Sequence, residues 1–163
     1  MVWRYKYVNF KTKKMKKLVV VYNNISNKLS KAKDLPLLFM RLVLAYGFYD
    51  PAIKKWNNMS DIISWFDSMG MPFPTINAYM AATTEITGVV LLTLGLFTRI
   101  ISIPLMVVML VAINTVHWTN GFEAGNNGFE IPLYYLIMLF TLTIYGGGKI
   151  SLDSLIKGAT KKL

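Results

Sequence analysis

The chain has 163 residues, of which 54% are hydrophobic and 16% charged, and its apolar residues are gathered into long blocks. This composition indicates a membrane protein that crosses the bilayer several times, and the length leaves room for one bundle without a second domain. Because the sequence contains no cysteine, thiol–disulfide catalysis by this chain and thiolate metal sites are excluded.

The net charge of +10 is unevenly placed along the chain. Of the 18 Lys and Arg, ten precede Leu35 and four lie at or after Lys149. Basic residues beside membrane spans are retained on the cytoplasmic side and attract anionic lipid. Topology therefore accounts for the charge, and nucleic acid is not expected as a partner.

Residues 1–34 form a basic segment that precedes the first apolar block. Its apolar patch at residues 18–22 is too short for a signal peptide or a span. Residues 15–18, MKKL, resemble an ordinary bacterial start, which makes residues 1–14 a candidate extension. The remainder predicts either a short amphipathic helix on the inner membrane surface or a frayed basic tail.

The first span is predicted at residues 35–53, where Pro36 suits the opening turn. It contains Arg41, close enough to the inner boundary to snorkel to the headgroups. Asp50-Pro51 is expected to break it near the outer surface. Residues 54–71 are too polar to span, but an apolar stripe behind the N-cap candidate Ser60 predicts a short helix lying at the interface.

The second span, from about residue 75 to Arg99, carries one acid, Glu85, near its middle. A carboxylate at membrane depth costs about 3 kcal/mol or more unless it is protonated, paired or facing a polar cavity. Thr84 and Gly88 are small residues on one face, which favours close approach of another helix. We therefore expect a central helix with Glu85 turned inward.

The third span follows Arg99 almost without a linker, so the two helices should be antiparallel neighbours. Asn114 and His117 lie towards its outer end. A loop rich in Gly and Asn leads to the fourth span at residues 129–145, which stops at three consecutive glycines.

The predicted fold is an all-α membrane protein, a four-transmembrane-helix bundle over residues 35–153 with a short interfacial helix between spans 1 and 2. A basic tail, residues 154–163, follows it. The proposed inner side carries fifteen basic residues and two acids, and the outer side two basic residues and five acids. This asymmetry predicts a bacterial inner-membrane protein with both termini in the cytoplasm.

The sequence resembles the DoxX family of small four-span bacterial inner-membrane proteins over roughly residues 35–153. The second span reproduces that family's pattern E-x-x-G-x-x-x-L-x-x-G-x-x-T-R from Glu85 to Arg99. The remaining matches are looser: Arg41, Gly47 and a following Lys54 or Lys55, then residues 128–130 and 151–153. The resemblance implies a four-helix membrane bundle. Members look like subunits of membrane oxidoreductases, including a thiosulfate:quinone oxidoreductase, and another branch accompanies export or maturation of copper-handling peptides.

Arg41 and Glu85 form the first candidate site. Counted from opposite membrane boundaries, their backbones differ in depth by only several Å, which two long side chains bridge. Three interpretations stay open: a buried pair that sets helix register, a proton relay or quinone site, and separate snorkelling.

A second group of polar residues is expected at the outer mouth of the bundle, and with Glu85 it would form a polar funnel. Its members are Asn114, His117, Glu130, Asn126 and Asn127. A His and a carboxylate are the groups needed to take protons from a quinol, so His117 and Glu130 are candidate catalytic residues with Arg41 and Glu85. Asn114, with Glu85 and Arg41, is a candidate cofactor-binding residue. The alternative is that these side chains only satisfy loop backbone.

Three functions follow as hypotheses. The first is a membrane subunit of a quinone-linked oxidoreductase complex, with a protein partner or a second copy of itself. The second is a non-enzymatic module for copper-peptide export, with Met69, Met71 and His117 as a soft Cu(I) site. The third is a structural scaffold. Quinone is the expected cofactor, copper is less favoured, a single His disfavours haem, and no metal site is assigned.

Overall fold

The structure is a computed structural model that describes residues 2–160, with side chains described from Met15 onwards except that of Lys31. Within that range the chain consists of helices and turns and contains no strand. It divides into two units, Met1–Lys33 and Asp34–Leu163. The first unit consists of one long helix, α1, Val2–Lys31.

The second unit contains six α-helices among its described residues. They are α2 (Asp34–Asn57), α3 (Met59–Ser68), α4 (Pro74–Leu94), α5 (Thr98–Ala112), α6 (Glu130–Tyr145) and α7 (Leu152–Thr160). A π-helical turn, Ile113–His117, and a 3-10 turn, Trp118–Asn120, extend α5 without a break in direction. The predicted short helix after the first span is confirmed as α3, although it begins before Ser60 and its N-cap is Asn58.

Four helices pack in a closed ring around one apolar core. α2 packs on α4, α4 on α5, α5 on α6, and α6 returns to α2. The centre of the ring is filled by large side chains, among them Leu44, Phe48, Leu92, Leu105 and Leu139, all nearly or fully buried. α3 lies outside the ring against α4 and α2.

The outward surface of the ring is apolar. Exposed hydrophobic side chains occur on every helix of the ring, among them Phe39, Val43, Val90, Ile103, Val107, Ile137 and Phe140. By length and composition one helix, Thr98–Asn120, is able to cross a membrane, and the apolar α6 is shorter. A continuous apolar exterior around buried polar groups is the arrangement of a protein that contacts lipid.

The expected break at Asp50-Pro51 is wrong, because Pro51 lies within α2, which continues to Asn57. Proline removes one backbone hydrogen bond and crowds the preceding turn. Ala52, the next residue, is nonetheless fully buried. Packing of the last two turns of α2 against the rest of the unit therefore outweighs the local cost and carries Lys54 and Lys55 on the helix.

A tight turn joins α4 to α5, as the sequence predicts, but it lies at residues 95–97, so Thr98 and Arg99 begin α5 instead of ending the second span. Gly95 ends α4 with φ of 67°, and Phe97 precedes α5 with φ of 48°. Glycine adopts the left-handed conformation at little cost, whereas phenylalanine does so only when the surroundings hold it. The turn therefore needs support from elsewhere in the chain.

Candidate functional site

The Glu85 carboxylate and the Lys55 ammonium form an ion pair inside the bundle. Lys55 Nζ donates to both carboxylate oxygens, at 3.0 Å to Oε1 and 2.8 Å to Oε2. The Glu85 side chain is 3% exposed and that of Lys55 is 16% exposed. The prediction that Glu85 turns inward is confirmed, and the carboxylate is fully paired.

Small residues around Glu85 explain how a lysine from α2 reaches it. Ala78, Ala82 and Gly88 share a face of α4 with Glu85, and all three are buried. Residues without large side chains let two helices approach closely. On α2 the facing residue Ala52 is also fully buried. Lys55 therefore reaches the middle of α4 where α2 and α4 pack against each other.

The neighbouring Lys54 shows how specific this placement is. Its Nζ lies 2.6 Å from Asp50 Oδ2, one helical turn back, and both side chains are about 70% exposed. Two adjacent lysines thus have opposite environments, one at the surface and one inside. Lys54 is a natural control for Lys55.

Arg41 lies elsewhere in the bundle and bonds backbone rather than a carboxylate. Its Nη1 donates to the carbonyl oxygen of Leu92 at 3.2 Å, and its Nη2 donates to that of Ile150. Leu92 follows Glu85 by seven residues, which is about 10 Å along the helix. The prediction that Arg41 and Glu85 pair with each other is therefore wrong. Snorkelling is wrong too, because Arg41 is 1% exposed.

The residues around Arg41 join the end of the chain to the α4–α5 turn. A Cβ atom added to Gly95 would lie 1.9 Å from Arg41 Nη1, so only glycine leaves room for the guanidinium. The Asp153 carboxylate accepts hydrogen bonds from the backbone N–H groups of Phe97, at 2.8 Å, and Thr98, at 3.0 Å. Asp153 N–H in turn donates to the Gly95 carbonyl at 3.0 Å. Asp153 thus supplies the support that the left-handed Phe97 requires.

A second bond ties the C-terminal segment to the start of α2. The backbone N–H of Lys149 donates to Asp34 Oδ1 at 3.0 Å. Together, Asp34, Arg41 and Asp153 hold residues 149–153 against three other parts of the unit. We call these three residues the C-terminal clasp.

The second predicted group of polar residues bonds locally. Asn114 Nδ2 donates to the Leu110 carbonyl in its own helix at 2.8 Å. His117 Nδ1 lies 2.7 Å from the Asn127 carbonyl oxygen. These contacts tie the end of α5 to the loop that follows it, and Glu85 takes no part in them.

Glu130 also serves the same loop. Its Oε2 accepts from the backbone N–H of Ala124 at 3.0 Å, and its Oε1 accepts from the Tyr134 hydroxyl at 2.9 Å. Asn126 Nδ2 reaches Glu123 Oε2 at 3.2 Å. Catalytic roles for His117 and Glu130 stay predictions, and the contacts found favour the interpretation in which these residues order the loop.

The Cu(I) hypothesis rests on residues from separate elements. Met69 caps the C-terminal end of α3, Met71 follows it, and His117 lies at the far end of the extended α5. In the described part of the chain no three His, Cys, Asp or Glu side chains gather in a way that would hold a metal ion. A copper site stays a prediction from the sequence.

Sequence reasoning missed Lys55 as the partner of Glu85, although helical periodicity carries a signal for it. The buried residues of α2 are Arg41, Leu44, Ala45, Phe48 and Ala52. Lys55 extends this series by three residues and therefore lies on the same face, whereas Lys54 does not. A basic residue such as Lys55 on the buried face of α2 is therefore a candidate partner for the buried acid Glu85.

Comparison with known proteins gives a family match. The family model described as DoxX matches residues 36–118. A protein of Haemophilus influenzae described as "Uncharacterized protein" is 34% identical over 129 residues, covering 74% of this chain and 83% of its own. The "Putative oxidoreductase CatD" of Bacillus subtilis is 29% identical over 130 residues, covering 78% of this chain and 92% of its own. No solved structure matches the chain.

Proposed function

The chain belongs to the DoxX family, and from that premise we propose that it is the membrane subunit of a quinone-linked oxidoreductase complex, with its quinone site at the Lys55–Glu85 pair. The Bacillus subtilis relative carries the name "Putative oxidoreductase CatD", which supports a redox role. The observation that carries the proposal is a carboxylate buried with a lysine halfway along an apolar helix bundle. Such groups at membrane depth usually mark a substrate or proton path.

In this proposal the ring helices α2, α4, α5 and α6 each cross the bacterial inner membrane. At ~1.5 Å per residue, α2 and α4, with 24 and 21 residues, reach ~36 and ~32 Å, enough for a ~30 Å hydrocarbon core. The extended α5 of 23 residues is similar, and the 16-residue α6 is the shortest. The basic residues of the terminal segments support a topology with both termini in the cytoplasm.

The Lys55 ammonium has a free donor for a ligand. An ammonium group has three N–H donors, and the two oxygens of Glu85 account for two of them. Lys55 also keeps some exposure, unlike Glu85. The third N–H would donate to a quinone carbonyl oxygen. When a quinol is oxidised, the carboxylate would accept the proton of the corresponding hydroxyl, and the proton of the other hydroxyl would leave to water. The electrons would pass to a partner subunit of the complex.

Other predicted site residues take different places in this proposal. Asn114, His117 and Glu130 would pass protons released from Glu85 to the outer surface. Arg41 of α2 donates to the carbonyl group of Leu92, which lies about 10 Å along α4 from Glu85. We therefore assign Arg41 to positioning the helices that carry the pair.

The test is to purify the full-length protein in mild detergent, extract bound lipid-soluble molecules, and measure quinone per protein. Wild type should carry quinone in a fixed ratio, and Glu85→Gln and Lys55→Met should lose it. Lys54→Met, which removes the adjacent exposed lysine, should bind as wild type does. Helical content and elution as a single species should be unchanged in the variants compared.

A structural scaffold is the second candidate, because Lys55 and Glu85 neutralise each other's charge without any ligand. If no quinone is extracted from wild type, and Glu85→Gln and Lys55→Met only lower stability, the pair is structural and the redox proposal fails. Metal analysis of the same wild-type sample decides the copper hypothesis at the same time.

A further inference from the structure

The whole net charge of the protein resides in its first 33 residues. They contain ten Lys and Arg and no acid, which gives +10. The other 130 residues contain the remaining eight basic residues and all eight acids, so their formal charge is zero. The basic character of the chain is therefore a property of one helix, α1, and of the two residues that follow it.

α1 has an apolar stripe that nothing in its own unit covers. Its described side chains include Met15, Leu18, Tyr22, Ile25 and Leu29, spaced alternately by three and four residues and 53–70% exposed. This spacing places all five on one face of a helix. At ~100° per residue, Lys16, Lys17 and Lys28 fall on the flanks and back of the helix.

We propose that α1 docks on an anionic lipid surface, with the stripe between the headgroups and the lysines against their phosphates. An interfacial helix of this kind has Lys on its polar face and large apolar residues on the other. Each basic residue near an anionic membrane surface contributes roughly 1 kcal/mol. This inference concerns a surface distinct from the Lys55–Glu85 pair and holds whether or not that pair binds quinone.

Charge decides between a membrane and a second copy of α1 as the occupant. The heptad-like stripe would also suit a helix dimer. Two copies of residues 1–33 would each carry a charge of +10, and neither contains an acid that would offset the repulsion. An anionic bilayer has the opposite sign, and only Ala32 and Lys33 separate α1 from α2, which keeps the effective concentration of such a surface high.

Because the sequence contains no cysteine, a single introduced cysteine can be labelled without labelling any other site. A single cysteine is introduced at Ile25, on the stripe, or at Asn27, on the polar face, and labelled with an environment-sensitive fluorophore. The full-length protein is placed one copy per nanodisc, in phosphatidylcholine with or without phosphatidylglycerol. With phosphatidylglycerol, the label of Ile25→Cys should shift to shorter wavelength and be quenched by acyl-chain quenchers, and that of Asn27→Cys should not.

Salt and charge variants test the electrostatic part. The shift should disappear in phosphatidylcholine alone and on going from about 0.1 M to about 1 M salt, where the Debye length falls from ~10 to ~3 Å. Each lysine replaced among Lys16→Gln, Lys17→Gln and Lys28→Gln should lower the ratio of docked to free α1 about fivefold. Lys54→Gln should leave it unchanged.

Three results would overturn the proposal. Equal responses at Ile25 and Asn27 would show that the stripe is not the docked face. A shift independent of anionic lipid and salt would remove the role of the lysines. A shift that appears only with two copies per nanodisc would identify the occupant as another α1.

Discussion

Lys55 Nζ bonds both carboxylate oxygens of Glu85 where α2 and α4 pack against each other. Removing one partner of a buried pair leaves the other charged and unpaired, which costs about 3–5 kcal/mol. We expect Lys55→Met and Glu85→Gln each to lower the free energy of unfolding by about this amount. The double variant should be less destabilised than the sum of the two, as measured by denaturant titration in mixed micelles.

The exposed Lys54–Asp50 pair is the control for the double-mutant comparison of Lys55 and Glu85. Lys54 and Asp50 are exposed, so Lys54→Met should change the free energy of unfolding by less than about 0.5 kcal/mol. Additive effects of Lys55→Met and Glu85→Gln would contradict the pairing itself.

Arg41→Lys should destabilise the protein although it keeps the charge. The guanidinium bonds two carbonyl groups, one on α4 and one beyond α6, and a single ammonium cannot take both positions. Loss of one charged hydrogen bond from a buried group costs about 2 kcal/mol. Thermal unfolding in detergent measures the loss, and the exposed Arg99→Lys should stay within about 0.5 kcal/mol of wild type.

The same variant separates positioning from ligand binding at Arg41. Quinone per folded protein should be unchanged in Arg41→Lys, since the guanidinium bonds the carbonyl group of Leu92, which lies about 10 Å along α4 from Glu85. Loss of quinone with wild-type stability would instead assign Arg41 to the binding site.

Gly95→Ala should be more damaging than an alanine at another glycine of similar backbone conformation. At Gly95 the new Cβ would meet Arg41 Nη1 at 1.9 Å and Ser151 Cβ at 2.6 Å. We expect a loss of about 3 kcal/mol or more, because the guanidinium must leave its carbonyl partners. Gly70, with φ of 72°, has nothing within 4 Å of the added atom, so Gly70→Ala should cost only about 1 kcal/mol. Similar unfolding midpoints for the two variants would contradict the close contact.

Asp153→Ala should loosen the start of α5. The carboxylate accepts from two backbone N–H groups at a helix N-terminus, where its negative charge is also favourable. We expect a loss of about 1–2 kcal/mol and faster hydrogen exchange at Phe97 and Thr98. Lys157→Ala, an exposed position in α7, should alter neither. Unchanged exchange at these two amides in Asp153→Ala would show that the carboxylate does not support the turn.

The helices could be predicted closely because their signals are local. The fourth apolar block, placed at residues 129–145, is α6, Glu130–Tyr145, since Pro132 and the glycine run bound it on both sides. The first span was predicted to end at residue 53 after a break at Asp50-Pro51, but packing around the buried Ala52 carries the helix through Pro51 to Asn57. The sequence shows that Pro51 removes one backbone hydrogen bond from the helix. It does not show the contacts with other helices that offset this loss.

The site could be predicted in part. Glu85 was found because an acid within an apolar block is costly wherever the block packs. Arg41 was assigned as its partner because the two residues lie at similar depth in the membrane. Counting residues from assumed membrane boundaries does not determine the rotation and the axial shift of α2 relative to α4. Arg41 and Lys55 share the buried face of α2, so only the way in which α2 packs on α4 selects between them.

The C-terminal clasp has a consequence for biogenesis. Arg41 donates to the carbonyl group of Ile150, which is synthesised 109 residues later, and Asp34 accepts from the amide of Lys149, which is synthesised 115 residues later. At ribosomal speeds of ~5–20 residues per second, this delay is roughly 5 to 20 s. During that time the nascent α2 carries an unbonded guanidinium, which favours a chaperone or the insertion machinery as its temporary host. The bundle locks only after residues 149–153 have been synthesised.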